Sequence, residues 1–227
     1  MINTPNPSRW SELFHQAMLI LDQLKNRHGY SLDFSFGGGT ALMLRILHRE
    51  SHDIDLFFED PQFLPLLNPD TQEYRLPIKP TDYEVDGSRS LKITFRNIGE
   101  IDFICCQPVT KKHSQPFTID HHTVALETPS EIIAKKLYYR SARIQPRDVF
   151  DIAATIRCLG ADELIRQLIP IADKCREALA TLERQDKDFA VKVMRQLMIK
   201  DGYQDLPDHA RKEASDFLQK VIAASNT

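Results

Sequence analysis

Residues 32–58 leave this chain few ways to fold. LDFSF at 32–36 alternates apolar and polar residues like a short strand, and Gly37-Gly38-Gly39 stops it. Thr40 to Leu47 (TALMLRIL) resumes at once as a helix, and residues 53–58 (DIDLFF) read as a second strand. A glycine turn lets backbone approach a ligand that a Cβ would keep away. The helix behind it opens with unpaired N–H groups and the positive end of its dipole, which suits phosphate. The returning strand carries Asp53 and Asp55 two residues apart, so both carboxylates leave one face while Ile54 and Leu56 leave the other. Two carboxylates on one strand face call for a cation between them. Oxygen ligands on a short strand suit Mg2+, which keeps waters and takes further ligands from substrate phosphates.

Known phosphate and metal motifs do not account for this run. A P-loop needs a Lys after its glycines, and Gly39 is followed by Thr-Ala-Leu-Met-Leu-Arg. A dinucleotide fingerprint needs a third glycine where Leu42 stands. An EF-hand loop needs polar residues where Leu56-Phe57-Phe58 follow the aspartates. A phosphohydrolase of the haloacid-dehalogenase kind also uses Asp-x-Asp, but it wants a longer apolar strand before the motif than Ser51-His52 provide.

A third carboxylate, Asp102, lies within the apolar segment Glu100-Ile101-Asp102-Phe103-Ile104. An aspartate there is costly unless paired or metal-bound. The expectation is a cage of Asp53, Asp55 and Asp102 for two Mg2+ ions, one holding a nucleoside triphosphate, the other activating an acceptor hydroxyl for in-line attack on the α-phosphorus. Asp102 is then the proton acceptor.

Around this motif the chain changes character once. Residues 8–27 form an amphipathic helix closed by His28-Gly29, and residues 91–97 and 100–106 are strands broken by Asn97-Ile98-Gly99. Residues 60–90 read as loop with one short helix or strand, and residues 117–126 as one further strand. From Pro129 onward the period is helical, with helices near 130–142, 146–158, 161–168, 172–185, 187–199 and 206–224. The expected class is α+β: a mixed sheet flanked by helices in a catalytic domain over residues 1–128, then a helical domain over 129–227.

With 42% hydrophobic and 27% charged residues in 227, the composition is that of an ordinary globular protein. No apolar run approaches the roughly 18 residues of a membrane span, and MINTPNPSRW lacks a signal-peptide pattern. A cytoplasmic protein without a membrane partner is expected. Its four cysteines, none in a CxxC pair, are expected as reduced thiols. Residues 1–130 carry 12 Lys+Arg against 17 Asp+Glu, and residues 131–227 carry 17 against 15. The surplus of positive charge sits in the helical half, where a polyanion would find it.

Part of that charge is organised. Lys135, Lys136, Arg140, Arg143 and Arg147 face a single Glu131 over 131–147, and Lys136, Arg140 and Arg143 share one helix face. That stripe can neutralise a triphosphate or simply be solvated. Asp148 can orient Lys136 or an Arg, or serve as an N-terminal helix charge. Tyr138-Tyr139 can stack on a base or pack between helices. Arg49 and Ser51, just before the Asp-x-Asp, can touch phosphate, orient the aspartates or cap a loop. His48 and His52 have the spacing of a helical metal pair, although the helix is expected to end between them.

The run Gly38-Gly39-Thr40-Ala41-Leu42, Arg49-x-Ser51-x-Asp53-Ile54-Asp55-Leu56-Phe57 resembles the first motif of the AbiEii/AbiGii toxin family, which includes the MenT toxins and belongs to the DNA polymerase β-like nucleotidyltransferases. Ala134-Lys135-Lys136-Leu137-x-x-Arg140 and Arg147-Asp148-Val149-Phe150-Asp151-Ile152 resemble its later motifs. The resemblance covers roughly residues 30–155 and implies a Mg2+-dependent transfer of a nucleoside monophosphate from a triphosphate to an acceptor, tRNA or protein, by a toxin with a cognate antitoxin. It implies that Gly38, Gly39 and Thr40 hold the triphosphate, that Asp53 and Asp55 bind metal, that Lys136 contacts phosphate and that Asp148 belongs to the last motif; Arg49, Ser51 and Arg140 are further candidates for binding the nucleotide. The opposing reading is a catalytically silent relative that binds a nucleotide or a protein partner.

Overall fold

The computed structural model describes residues 8–226. The expectation that no signal peptide is present rests largely on residues 1–7, which lie outside that range. Two compact units make up the chain. Of the described residues, one unit comprises 8–41, 51–107 and 114–127, the other 42–50, 108–113 and 128–226. The first unit gives way to the second at 127/128, and residues 42–50 and 108–113 join the helical unit without any signal in the sequence.

The first unit is built on a seven-stranded mixed sheet. Its strands are β1 (Ser35–Gly37), β2 (Ile54–Phe58), β3 (Asp82–Asp86), β4 (Ser90–Phe95), β5 (Gly99–Cys105), β6 (Ser114–Ile119) and β7 (His122–Glu127). Their order across the sheet is β3-β4-β5-β2-β1-β7-β6. β2 runs parallel to β5 and antiparallel to β1, while β1 runs parallel to β7. Leu91, Ile93, Ile101, Phe103, Ile54, Leu56, Phe36 and Leu126 lie at alternate strand positions and are buried, so one sheet face is a continuous apolar surface. Helix α1 (Trp10–His28) packs beside β2 and β5 through Leu13, Phe14, Ala17, Ile20 and Leu24, and Phe14 stacks on Phe36 at 5.9 Å. It stops at Gly29, which turns left-handed (φ 76°) and donates its N–H to the Lys25 carbonyl at 2.9 Å.

Two expectations are corrected here. The single strand at 117–126 is the hairpin β6–β7, whose register Ile119↔His122 leaves a two-residue loop. Asp120 turns it at φ 52° without the Asn-Gly or Asp-Gly that marks such turns. The loop at 60–90 contains a 3-10 turn (Pro61–Phe63), helix α3 (Leu64–Leu67) and edge strand β3. β3 alternates exposed Asp82, Glu84 and Asp86 with half-buried Tyr83 and exposed Val85, a pattern that keeps an edge from pairing with another chain and hides the strand from a hydrophobicity reading.

Helix α2 (Gly38–Ile46) opens directly after β1. The second unit contains α4 (Pro129–Arg140), α5 (Pro146–Leu159), α6 (Asp162–Leu168), α7 (Ala172–Arg184), α8 (Lys187–Arg195) and α9 (Leu206–Ala224). α9 buries Leu206, Ala210, Ala214, Phe217, Leu218 and Val221, one helical stripe packed on α5 and α7. Thr128 caps α4 by accepting the Glu131 N–H at 3.2 Å, with Pro129 in the first turn. The helix expected to run to 199 stops at Arg195, because the next residues pair elsewhere. Ile199 bridges to Arg49, and the Glu50 and Lys200 amides bond the Met198 and His48 carbonyls at 2.9 and 3.0 Å. Among the described residues no helix is long and apolar enough to cross a membrane, and none of the four cysteines is in a disulfide.

Candidate active site

Sheet register assembles the polar face of the first unit. Asp102 on β5 is the direct partner of Asp55 on β2, Lys92 on β4 is the partner of Asp102, and Gly37 on β1 is the partner of Asp55. Lys92, Asp102, Asp55 and Gly37 therefore form one row on the face opposite the apolar one. The Asp102 carboxyl is pushed up to about 7: burial does most of it, Asp55 adds to it, Lys92 opposes it, and Glu100 and Asp53 contribute further repulsion. The Lys92 ammonium is anchored on Glu100 at 2.6 Å. The expectation did not include Lys92; its signal was an isolated Lys alternating with Leu91 and Ile93.

The glycines before α2 have distinct steric duties. A Cβ on Gly38, which sits at φ +71°, would lie 1.9 Å from Asp55 Oδ2. A Cβ on Gly37 would lie 2.2 Å from Glu127 Oε2 and 2.6 Å from the Phe57 ring. Glu127 is a fully buried carboxylate that accepts from the Ser35 hydroxyl at 2.8 Å, another acidic group absent from the expectation. Gly39 lies in the first turn of α2.

Asp53 is held from two directions. Its Oδ1 accepts the Glu100 N–H at 3.0 Å, and its main-chain carbonyl accepts the buried Thr40 hydroxyl at 2.5 Å. The Thr40 hydroxyl braces the Asp53 backbone, since its proton is given to that carbonyl. The three aspartates do not stand as a finished cage: among the described residues no three His, Cys, Asp or Glu side chains are grouped to hold a metal ion. What stands is the in-register pair Asp55–Asp102 with Asp53 beside it. The donor chemistry fits Mg2+, because the pair offers hard oxygens, and mutual repulsion with burial gives a cation something to relieve. Ser51 contributes its carbonyl, which accepts from the Ser8 hydroxyl at 2.6 Å.

The second unit holds a separate cluster. Lys136 on α4 donates to Asp148 Oδ1 at 2.6 Å and lies 3.1 Å from Asp151 Oδ2, both carboxylates on α5 being fully buried. Asp151 also receives the Arg49 fork, Nε to Oδ1 at 2.7 Å and Nη2 to Oδ2 at 3.0 Å, and His48 Nε2 stands 2.9 Å from Oδ1. Two buried anions thus meet two cations. Burial raises the Asp151 carboxyl, but Arg49 and Lys136 more than reverse this and hold it well below the usual range. Burial likewise raises Asp148, and Lys136 with Arg140 outweighs it. Burial pushes the His48 imidazole down against its bond to Asp151.

Arg49 gives its fork to Asp151 and its Nη1 to the Glu50 carbonyl at 3.0 Å. His48 packs on Phe150 and bonds Asp151 instead of pairing with His52. Asp148 does both things anticipated for it. It binds Lys136, and its Oδ2 accepts the Gln145 N–H at 3.1 Å to cap α5. Arg140 is half exposed, 3.7 Å from Asp148. Tyr138 and Tyr139 are half exposed and meet edge to face at 4.9 Å.

A family model described as the nucleotidyl transferase AbiEii toxin of type IV toxin–antitoxin systems matches residues 19–223. The chain belongs to the AbiEii family. This AbiEii protein is accordingly a nucleotidyltransferase of the toxin class, and no curated protein matches it in sequence. Its fold is shared with a candidate nucleotidyltransferase from H. pylori, at 15% identity and TM-score 0.52 over 97% of both chains. It is shared also with ANT(2")-Ia, solved with adenylyl-2"-tobramycin, at 15% identity and TM-score 0.50 over 71% of this chain and 96% of that one. MenT4, a nucleotidyltransferase toxin of Mycobacterium tuberculosis, aligns over 95% of this chain and 88% of its own, at 15% identity and TM-score 0.49.

Proposed function

We propose that this AbiEii protein transfers a nucleoside monophosphate from a triphosphate to a tRNA or protein acceptor, breaking the bond between the α- and β-phosphates and releasing pyrophosphate, with Mg2+ held by Asp55 and Asp102 and with Asp53 as third donor. The reading rests on one observation, the register that sets Asp55 and Asp102 side by side beneath the Gly38 turn. Bound Mg2+ would neutralise triphosphate charge and polarise the α-phosphorus. Asp102 would take the proton of the acceptor hydroxyl. Thr40 and the Glu100 amide would keep Asp53 in place, and the backbone at Gly38 would admit a phosphate that a side chain there would exclude. Lys136, as the family's motif lysine, would carry positive charge to the phosphates, and Asp148 would hold it. A cytoplasmic site of action and a cognate antitoxin complete the proposal.

The test incubates the protein with each labelled nucleoside triphosphate, Mg2+ and total tRNA or cell protein. Label should enter one acceptor class and disappear in Asp55→Ala. Incorporation that survives Asp55→Ala and Asp102→Ala removes the proposed centre. Mg2+-dependent triphosphate binding without transfer to any acceptor favours a silent nucleotide-binding relative instead.

A further inference from the structure

We infer that Asp151 is a positioning residue for Lys136, and that Arg49 and His48 are the groups that fix it. The inference rests on the reading of Lys136 as a phosphate ligand and adds what holds that ligand.

A lysine on a four-carbon stem is a poor fixed point, since each rotatable bond lets the charge wander. Here the ammonium lies between two carboxylates, 2.6 Å from Asp148 and 3.1 Å from Asp151. Asp148 is fastened by its own helix start through the Gln145 amide. Asp151, in mid-helix, has no such anchor. Arg49 supplies it with two parallel bonds, a geometry that fixes the carboxylate plane as well as its position. His48 adds a third contact to Oδ1 at 2.9 Å, leaving Oδ2 to Lys136 and one arm of the fork. Arg49 and His48 belong to the residues following α2, in the stretch tied to 198–200 by backbone bonds. The first motif of the sequence thus reaches the last through Asp151. Its Arg holds the Asp that holds the Lys.

The experiment uses the full chain with Mg2+. It measures the affinity of α,β-imido analogues of the four nucleoside triphosphates, and of the matching monophosphates, by calorimetry. The variants are Lys136→Ala, Asp151→Asn, Arg49→Lys and the double variant Lys136→Ala/Asp151→Asn, with melting temperatures recorded. Asp151→Asn and Arg49→Lys should weaken triphosphate binding by about 10–100-fold, the range for groups that orient a ligand from behind. Monophosphate binding should be unchanged, and the double variant should bind no more weakly than Lys136→Ala. Additive losses, an equal loss for the monophosphate, or unchanged triphosphate affinity in a folded variant overturns the inference. Arg49→Lys decides the matter if Asp151→Asn does not fold, because it keeps the buried charge and removes only the fork. Unchanged triphosphate affinity in Lys136→Ala overturns the inference together with the phosphate-ligand reading. A loss in Lys136→Ala without one in Asp151→Asn or Arg49→Lys overturns the inference alone.

Discussion

Gly38 and Asp55 compete for the same space: a Cβ on the one would stand 1.9 Å from Oδ2 of the other. The turn that opens α2 and the carboxylate on β2 are therefore one feature. Gly38→Ala should cost roughly 1–2 kcal/mol for the left-handed backbone alone and should also drive the Asp55 carboxylate off its place, abolishing transfer. Gly29→Ala is the control, since Gly29 has φ +76° with nothing within 4 Å of its would-be Cβ. It should lower the melting temperature while activity persists. Activity retained in Gly38→Ala would show that Asp55 need not sit where it does.

The metal-free protein should lose stability as pH rises. Asp102 is raised from 3.8 to about 7 in the folded chain, so between those values the native state holds a proton that the unfolded chain has released. Stability then falls with rising pH across that window and levels off above it. Thermal melts in chelator across the window should show the decline, and Asp102→Asn should flatten it. A wild-type curve parallel to that of the variant would contradict the assignment.

By the same reasoning Asp102→Asn should melt higher than wild type at pH 8 without Mg2+, because a buried repelling charge is gone, while its transfer activity is lost. Added Mg2+ should raise the melting temperature of wild type and leave the variant unmoved. Active sites commonly trade stability for function in this way.

Lys92 opposes the upward push on Asp102. Lys92→Gln should therefore move the acidic limb of the pH–rate profile to higher pH, with little change at the plateau. An unshifted limb would mean that Asp102 is not the group titrating in the rate.

Arg49→Ala leaves the Asp151 carboxylate buried with Lys136 as its remaining cation. Breaking a buried pair of this kind costs about 3–5 kcal/mol, and chemical denaturation should show it. Arg157→Ala removes a more exposed Arg from Asp205 and Glu213 and should cost well under half as much.

The sequence by itself determined the strand–glycine–helix–strand run at 35–58, the helical period from Pro129 to Ala224, and the face from which Asp55 leaves β2. These are local matters, decided by side-chain periodicity and by the freedom glycine gives the backbone. It carried Asp102 only as an aspartate in an apolar strand. That β2 and β5 are parallel neighbours, with Asp55 opposite Asp102 and Lys92 next in the row, depends on strand order, which local pattern does not encode. The pairing of Thr40 with the Asp53 carbonyl and of Arg49 with Asp151 has the same origin: hydroxyl and guanidinium groups bind whatever acceptor the fold brings within 3 Å, and here those acceptors lie 13 and 102 residues away. Tertiary structure decided such pairings because burial makes an unmatched charge too costly to leave, and only the folded chain specifies which partner is near.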